Sequence, residues 1–365
     1  MPKVKKADKI LLITLLSILT FGLIIFFSAA LGQLARDGAK FGSVISGQIG
    51  LGVIMGSIVA LFISNISYKK WGKYSLWIYV GALFLTILVF IPGIGLELGG
   101  GKRWISIGNQ TLQPAEFLKI AYIIYLSAWI ASVKKEVKTF KKGLLPFLII
   151  SGIASMILLA QPDTGTTILM IATGTAVYFI SGANLKHILI TGLIGLGIII
   201  LLISTREYIR DRVVTFINPA ADSLGAGYQI QQSFIAIGSG GLTGRGFGQS
   251  LQKFNYLPEP IGDSIFSVAA EEFGFIGALI LILLFSTLLL RALYLSLKIK
   301  DTFGGLLMLG LVILIVAQSF FNMGAMLGLI PLSGLPLIFV SHGGTAMFFA
   351  LCSVGIILNI SKEAK

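Results

Sequence analysis

The chain carries few charged residues. Only 12% of its 365 residues are Asp, Glu, Lys or Arg, 56% are hydrophobic, and the mean hydropathy is +0.94. A water-soluble domain of this size has about twice as many charges, so that class is excluded. Apolar runs of roughly 18 or more residues recur along the chain, and each can cross the hydrocarbon core of a bilayer as a helix. The composition predicts an all-α polytopic membrane protein.

Cysteine and histidine are also scarce. The single cysteine, Cys352, excludes an intrachain disulfide, and two histidines, His187 and His342, without a cysteine cluster disfavour a zinc site. The glycine-rich segment 238–246 has no Gly-Lys-Ser/Thr at P-loop spacing, so a nucleotide loop is excluded. The net charge of +13 does not indicate nucleic acid, because the basic residues cluster in short loops between apolar runs.

The apolar runs define about ten predicted transmembrane helices. Their approximate bounds are 10–30, 43–66, 75–92, 114–133, 144–161, 164–181, 187–203, 264–292, 304–323 and 340–360. The first run is too long for the apolar region of a signal peptide, so we expect a retained span. We expect one transmembrane domain over residues 1–365, with no soluble domain at either end and a long polar loop at 204–263.

The basic residues predict the orientation of the chain. Most of the 28 Lys and Arg residues lie in alternate loops, at 3–9, 69–73, 134–142, 186, 291–300 and 362–365. Short loops rich in Lys and Arg remain in the cytoplasm, so both termini are expected there. The loops 93–113 and 204–263 are then expected outside the membrane.

The loop 204–263 ends on two acids, Glu259 and Asp263, just before an apolar run. Asp263 is placed to cap the following helix, to act as a base at a water-filled outer cavity, or both. Glu259, between two prolines, is either a solvated loop acid or part of the same site. The same loop contains five cations, Arg206, Arg210, Arg212, Arg245 and Lys253.

Other polar residues lie where a membrane protein rarely places them. Lys102 and Arg103 are either a pyrophosphate-binding pair or two side chains that reach the membrane surface. Glu116 and Lys119, three residues apart on a predicted helix, form either an intramembrane ion pair or part of a substrate site. Asp163 is either a helix cap or an acid that lines a cavity.

Glu271 and Glu272 fall well inside the eighth predicted span. Ionised carboxylates at this depth are costly unless they are paired. They form either an interhelical hydrogen-bond network or a path for protons or ions.

Several motifs resemble, in order along the chain, those of the SEDS family (shape, elongation, division, sporulation). They are Gly100-Gly101-Lys102-Arg103-Trp104-Ile105, Gln113-Pro114-Ala115-Glu116-Phe117-Leu118-Lys119, Gln161-Pro162-Asp163-Thr164-Gly165-Thr166-Thr167, Gly227-Tyr228-Gln229 with Gln232 to Gly241, Leu257-Pro258-Glu259 with Asp263, and Gly328-Leu329-Ile330-Pro331 with Gly334-Leu335-Pro336. The Lys-Arg-Trp triplet is more similar to the division branch, FtsW, than to the elongation branch, RodA. The chain departs from the family pattern at Ala115, at Gly262-Asp263-Ser264 and at His342, where the family usually has tyrosine.

The resemblance implies a bacterial plasma-membrane peptidoglycan glycosyltransferase that polymerises lipid II, with a role in cell division. The essential aspartate of the family falls on Asp263. The resemblance also implies a class B penicillin-binding transpeptidase as partner, since this chain has no transpeptidase motif.

Polymerisation of lipid II needs a base and a group of cations that binds the pyrophosphate, which we call the cradle. A sugar hydroxyl is a weak nucleophile, and the departing lipid pyrophosphate needs neutralisation by cations or a divalent metal. We expect Asp263 as the base, a divalent metal (Mg or Mn) and no organic cofactor. The predicted substrate-binding residues are Lys102, Arg103, Glu116, Lys119, Arg210, Arg212, Arg245, Lys253 and Glu259. The alternatives are a lipid II flippase or proton-coupled transporter, which would use the intramembrane acids, and a scaffold that needs neither set.

Overall fold

The computed structural model describes residues 6–36, 38–98, 100–108, 110–219 and 225–364. Lys3, Lys5 and Lys365, which contribute to the predicted orientation, lie outside these ranges. Within them the protein is a bundle of helices with one small sheet.

The ten predicted spans are all helical. Within the described residues, eight helices are long and apolar enough to cross a membrane, and two shorter apolar helices, Ser75–Phe90 and Thr164–Ile180, occupy the third and sixth predicted positions. The spanning helices are α1 (Lys9–Arg36), α2 (Gly38–Ile45) with α3 (Gly56–Ser64), α5 (Ser75–Ile87), α6 (Pro114–Val133), α7 (Leu145–Ala160), α8 (Thr164–Ile180), α9 (Leu185–Thr205), α13 (Ile265–Lys298), α14 (Thr302–Met326) and α15 (Gly344–Ser361). A short helix, α4 (Lys69–Lys73), precedes α5, and a π-helical stretch, Ser46–Met55, joins α2 to α3.

Burial separates the centre of the bundle from its edge. The most apolar stretch of α14 is 78% buried and that of α15 is 72% buried, whereas that of α9 is only 6% buried. Glycines on the second span let α15 approach closely: a Cβ on Gly56 would lie 2.9 Å from a methyl carbon of Leu351. The functional residues described below surround the end of α14.

The predicted loop 93–113 contains an antiparallel sheet that the sequence analysis did not predict. Its strands are β1 (Gly95–Leu98), β2 (Gly101–Ile107) and β3 (Gln110–Leu112), in the order β1-β2-β3. The hydroxyl of Thr345, at the start of α15, donates to the carbonyl of Thr111 at 2.8 Å and ties the sheet to the bundle. Lys102 and Arg103 are therefore held on a strand.

The described part of the predicted loop 204–263 is also folded. It contains three helices, α10 (Glu207–Ile217), α11 (Ala226–Gly240) and α12 (Gln252–Asn255). The turns after α11 pack against a break in α13 at Gly274, where φ is +65°. There the backbone N–H groups of Arg245 and Gly246 donate to the carbonyls of Glu271 and Glu272, both at 3.0 Å. These bonds satisfy carbonyls that the break leaves without helical partners.

The start of α1 meets the last parts of α13 and α15 at the opposite end of the bundle. The guanidinium of Arg291 on α13 donates to both carboxylate oxygens of Asp8, at 2.9 and 2.6 Å. The backbone N–H of Asp8 donates to the hydroxyl of Ser361 at 3.2 Å. The start of α1 is therefore fixed by residues from late in the chain.

Candidate active site

Asp263 lies at the wall of a small cavity. Helix α13 begins at Ile265, its N-cap is Ser264, and no side chain caps it, so Asp263 does not have the capping role considered from the sequence. The half-buried Asp263 faces a cavity of about 120 Å³ between α10, α11, α14 and the segment 332–335. The cavity is lined by Arg212, Ala226, Gln229, Asp263, Asn322, Ala325, Met326, Leu332, Ser333, Gly334 and Leu335.

The surroundings of Asp263 raise its pKa to about 6 from the ordinary 3.8. Desolvation at the cavity wall is the main cause, because it disfavours the charged carboxylate. The nearby carboxylate of Glu259 raises the pKa further, whereas Arg212 and Arg103 lower it. A carboxylate with a pKa near 6 is ionised at neutral pH and is a stronger base than an ordinary aspartate.

Two arginines bring positive charge to this cavity. Arg212, on α10, is half-buried and lines the cavity itself; desolvation and the charge of Arg103 lower its pKa, while Asp263 and Asp163 oppose that shift. Arg103, on β2, donates from Nε to the carbonyl of Gln161 at 3.1 Å and from Nη2 to the carbonyl of Pro162. These bonds orient the Arg103 guanidinium beside Arg212. Its strand neighbour Lys102 is exposed, as expected for alternate faces of a strand.

Asp163 has the capping role that the sequence left open, and it is not among the residues that line the cavity. One carboxylate oxygen caps α8 by accepting from the N–H of Thr166 at 3.2 Å. The other oxygen, Oδ2, is buried without a hydrogen-bond partner among the described residues. Since Asp163 interacts electrostatically with Arg212, it belongs to the charged surroundings of the cavity.

Glu259 is exposed in the turn that precedes Asp263, with φ at +45°. Its carboxylate lies over Gly262, since a Cβ built on that glycine would lie 3.3 Å from Glu259 Oε2. Two acids therefore stand close together, as their positions in the sequence indicate, and of the two Asp263 lines the cavity.

Three of the cations predicted for the cradle do not line the cavity of Asp263. Lys253 is completely buried, and its ammonium donates to Glu272 at 2.6 Å and to Ser28 at 2.9 Å. Arg245 approaches Glu271 at 3.7 Å, and the exposed Arg210 approaches Glu207 at 3.6 Å. None of the three lines the cavity of Asp263. We therefore assign Lys253 and Arg245 to the network around Glu271 and Glu272, and not to the cradle.

Glu271 and Glu272 are paired within a buried network. Glu271 accepts from the hydroxyl of Ser250 at 2.5 Å and from the N–H of Leu251 at 3.0 Å, at the start of α12. Glu272 accepts from Lys253 and from the hydroxyl of Ser28 on α1. The network ties α1, α12 and α13 together, which is the structural role considered for the two acids.

Glu116 and Lys119 form a second buried pair. The Lys119 ammonium lies 2.9 Å from Glu116 and 2.6 Å from Oε1 of Gln318 on α14. Both side chains are at most 5% exposed, and neither lines the cavity. Their hydrogen-bond partners are protein groups, and Gln318 links the pair to the segment that follows cavity residues 332–335 by donating to the carbonyl of Pro336 at 3.2 Å.

The sequence analysis missed three residues of the cavity wall. Gln229 donates to Ser264 Oγ at 2.9 Å, next to Asp263, and a Cβ on Gly334 would lie 3.8 Å from Asp263 Oδ2. Asn322 donates to the backbone of Asp263. Gln229 and Gly334 fall in family motifs to which we assigned no role. For Asn322, the available signal is a polar side chain in an apolar span, four residues after Gln318.

The described residues contain no group of three or more His, Cys, Asp or Glu side chains arranged to hold a metal ion. Glu259 and Asp263 supply two neighbouring carboxylates. A magnesium ion is commonly held by one or two carboxylates together with substrate phosphates and water. The donor set therefore fits a divalent cation that binds together with a phosphate-bearing substrate.

Comparison with known proteins agrees with this architecture. The family model for the cell cycle proteins FtsW, RodA and SpoVE matches residues 8–365. Stage V sporulation protein E of Bacillus subtilis is 38% identical over 361 residues, covering 98% of each chain. The probable peptidoglycan glycosyltransferase FtsW of Geobacter sp. (strain M18) is 36% identical over 373 residues, covering 100% of this chain and 99% of the relative.

Two solved structures share the fold. A chain from a peptidoglycan synthase complex, studied for the coordination of polymerization and crosslinking, superposes with a TM-score of 0.79 at 25% identity over 97% of both chains. The rod shape determining protein RodA of Thermus thermophilus gives a TM-score of 0.71 at 24% identity, over 99% of this chain and 98% of that chain. The protein described here belongs to the FtsW, RodA and SpoVE family, the SEDS family of polytopic membrane proteins.

Proposed function

We propose that this protein is a peptidoglycan glycosyltransferase that polymerises lipid II, the undecaprenyl-pyrophosphate-linked disaccharide peptide. The observation that carries the proposal is the cavity that Asp263 shares with Arg212, with Arg103 beside it. It combines a carboxylate of raised pKa with two cations. Relatives over the full length of the chain are named as probable peptidoglycan glycosyltransferases.

Asp263 is suited to accept a proton from a sugar hydroxyl. The attacking oxygen becomes a better nucleophile as its proton moves to the Asp263 carboxylate, and it then forms the new glycosidic bond. An α-linked lipid pyrophosphate that becomes a β-linked polymer inverts once, which requires one base and no covalent intermediate. The bond to the pyrophosphate breaks in the same step, and its negative charge develops near Arg212 and Arg103.

A divalent metal, Mg or Mn, would be held by Asp263 and Glu259 together with substrate phosphates. When bound, it would supply further positive charge to the pyrophosphate. Lys102, exposed on β2 next to Arg103, is a second cation available to the substrate as it enters.

The intramembrane acids that favoured a transporter are paired in this structure. Glu116 binds Lys119, Glu272 binds Lys253, and Glu271 accepts from the start of α12. A proton path needs acids that change partners or reach water, whereas these acids are buried in fixed networks. The flippase or proton-coupled transporter therefore remains the second hypothesis.

The setting of the proposed reaction is the outer face of the bacterial plasma membrane, with both termini in the cytoplasm and a role in cell division. Lys102, Arg103 and the FtsW relatives support the division role. We propose a class B penicillin-binding transpeptidase as the partner that crosslinks the glycan. The similarity to a chain of a synthase complex that couples polymerization and crosslinking supports this partner.

The test is polymerisation by purified protein. Wild type and Asp263→Asn are incubated in detergent or liposomes with lipid II, with Mg, with Mn or with a chelator, and with or without the partner, and the glycan products are separated by size. We expect long glycans from wild type with a divalent metal and none from Asp263→Asn. Flipping of lipid II that depends on a pH gradient, without any glycan formed, would support the transporter instead.

A further inference from the structure

Three successive backbone carbonyls immediately around Asp263 are held by donors from the last third of the chain. The carbonyl of Ile261 accepts from the N–H of His342 at 2.6 Å. The carbonyl of Gly262 accepts from the hydroxyl of Ser341 at 2.8 Å. The carbonyl of Asp263 itself accepts from Nδ2 of Asn322, also at 2.8 Å. Such consecutive contacts restrict rotation of the backbone that carries the Asp263 side chain.

The amide of Asn322 bridges two walls of the cavity. Its nitrogen also donates to the carbonyl of Leu335 at 2.9 Å, and Asn322 is only 2% exposed. Both partners are acceptors, so the orientation of the amide is fixed by its contacts. Its oxygen is buried without a partner among the described residues, and the side chain therefore binds only as a donor there.

Ser341 makes a second bridge of the same kind. While its hydroxyl donates to Gly262, it accepts from the N–H of Leu337 at 2.9 Å. The turn containing Ser341 is itself held by Gln48, whose amide donates to the carbonyl of Ser341 and accepts from the N–H of Gly343, at 3.1 and 2.9 Å. Ser341 is thus fixed from both sides.

We infer that Asn322 and Ser341 are positioning residues that hold the Asp263 carboxylate in its reactive place by joining the backbone of residues 262–263 to that of Leu335 and Leu337. The inference rests on the proposed function, since it assigns the role of the base to Asp263. The hydrogen bonds of both side chains near Asp263 go to backbone groups and not to its carboxylate. Their effect is expected through geometry, and misplacing a reactive group by about 1 Å can cost about 100-fold in rate.

The variants are Asn322→Ala, Asn322→Asp and Ser341→Ala. Asn322→Asp keeps the size of the side chain but places an oxygen opposite two carbonyl oxygens, so it separates donation from packing. Asn359→Ala is the matched control: this asparagine also bridges two backbone groups, Tyr68 N–H and Ser64 carbonyl, at 2.9 and 2.8 Å, away from Asp263. Ser319→Ala removes a buried hydroxyl that binds only its own helix, at the Ile315 carbonyl.

Each variant is compared with wild type for kcat, KM for lipid II, the pH profile and melting temperature. We expect Asn322→Ala and Asn322→Asp to lower kcat about 10- to 100-fold with KM for lipid II changed less than about threefold, and Ser341→Ala to lower kcat by a smaller factor. The two control variants should show a decrease in melting temperature similar to that of the Asn322 and Ser341 variants. Their kcat should stay within about twofold of the wild-type value.

Hydrogen exchange gives a second reading that does not depend on activity. Peptides that cover 259–268 and 334–345 should exchange faster in the Asn322 and Ser341 variants, and not in Asn359→Ala. Unchanged exchange in these peptides, or wild-type kcat in a well-folded Asn322→Asp, would overturn the positioning role while polymerisation by wild type stands. Absence of glycan synthesis by wild type would overturn the proposed function and with it the assignment of Asp263. In that case, faster exchange of these peptides in the Asn322 and Ser341 variants would still show that the two side chains restrain the backbone.

Discussion

At the scale of single residues, the chemistry depends on how one carboxylate is surrounded. Asp263 and the buried Glu272 are both acids near cations, yet Glu272 is bound by a lysine and a serine, whereas Asp263 faces a cavity. Paired acids stabilise a fold, and an acid that faces a cavity is available to a substrate.

Asp263→Asn should abolish polymerisation without destabilising the protein. Because the folded-state pKa, about 6, lies above the ordinary 3.8, the ionised Asp263 carboxylate lowers stability at pH 7, and this cost fades as the pH falls from about 6 to about 3.8. The asparagine variant should therefore melt at the wild-type temperature or above it at pH 7, with the difference shrinking toward pH 4.5. A variant that makes glycan normally, or that melts well below wild type at pH 7, would contradict this account.

The pH dependence of polymerisation should follow the neighbours of Asp263. A base with a pKa of about 6 loses activity as the pH falls below 6. Glu259 raises that pKa and Arg212 lowers it, so Glu259→Gln should move the acid limb to lower pH and Arg212→Gln should move it to higher pH. Normalised rates between pH 4.5 and 8 measure both shifts. If the acid limbs of Glu259→Gln and Arg212→Gln moved in the same direction, this electrostatic explanation would be excluded.

At the scale of elements, the sequence predicts the spans well and the polar segments poorly. A membrane helix is defined by local length and hydropathy, so the ten apolar runs are enough to predict the positions of the ten spans. The sheet of β1 to β3 and the helices α10 to α12 lie in segments without a long apolar run, and their structure depends on contacts with the bundle. The cradle shows the same limit, because Arg212 and Lys253 are both loop cations in the sequence, and only tertiary packing buries Lys253 against Glu272.

Lys253→Met should strongly destabilise the junction of α1, α12 and α13. Removal of one partner leaves the buried Glu272 carboxylate uncompensated, at a cost of about 3–5 kcal/mol. Lys253→Met with Glu272→Leu should recover much of the melting temperature lost by the single variant. Melting in detergent of both single variants and the double variant measures the coupling. Additive losses would mean that the two side chains do not act as a pair.

The break in α13 requires glycine. At Gly274, φ is +65°, and a Cβ would lie 2.3 Å from the backbone nitrogen of Gly244. Gly274→Ala should therefore lower the melting temperature and loosen the 241–248 turns, detected as faster proteolysis there. Gly195→Ala on α9, where a Cβ meets nothing within 4 Å, is the control and should leave stability unchanged or slightly higher. A melting temperature of Gly274→Ala equal to that of wild type would show that the break tolerates a side chain.

At the scale of the whole molecule, the proposed orientation can be tested by labelling cysteines that are introduced at exposed positions on either side of the membrane. Cys352 is buried, so an impermeant maleimide should label wild type weakly in intact cells. Lys102→Cys should label from outside, and Lys138→Cys should label only after the cells are opened. Both positions are exposed in the structure. Labelling with the opposite pattern would reverse the orientation and place Asp263 on the cytoplasmic side.

The tie between Asp8, Arg291 and Ser361 also has a consequence in time. Helix α1 is synthesised before α13 and α15, yet Asp8 at its start binds Arg291, 283 residues later, and Ser361, 353 residues later. During synthesis the start of α1 therefore lies in the bilayer without these partners until both residues have been made. Closure of this part of the bundle is a late event in biogenesis, and a chain that stops before Arg291 leaves Asp8 without the arginine that binds it, although Ser28 can still join α1 to Glu272 and Lys253.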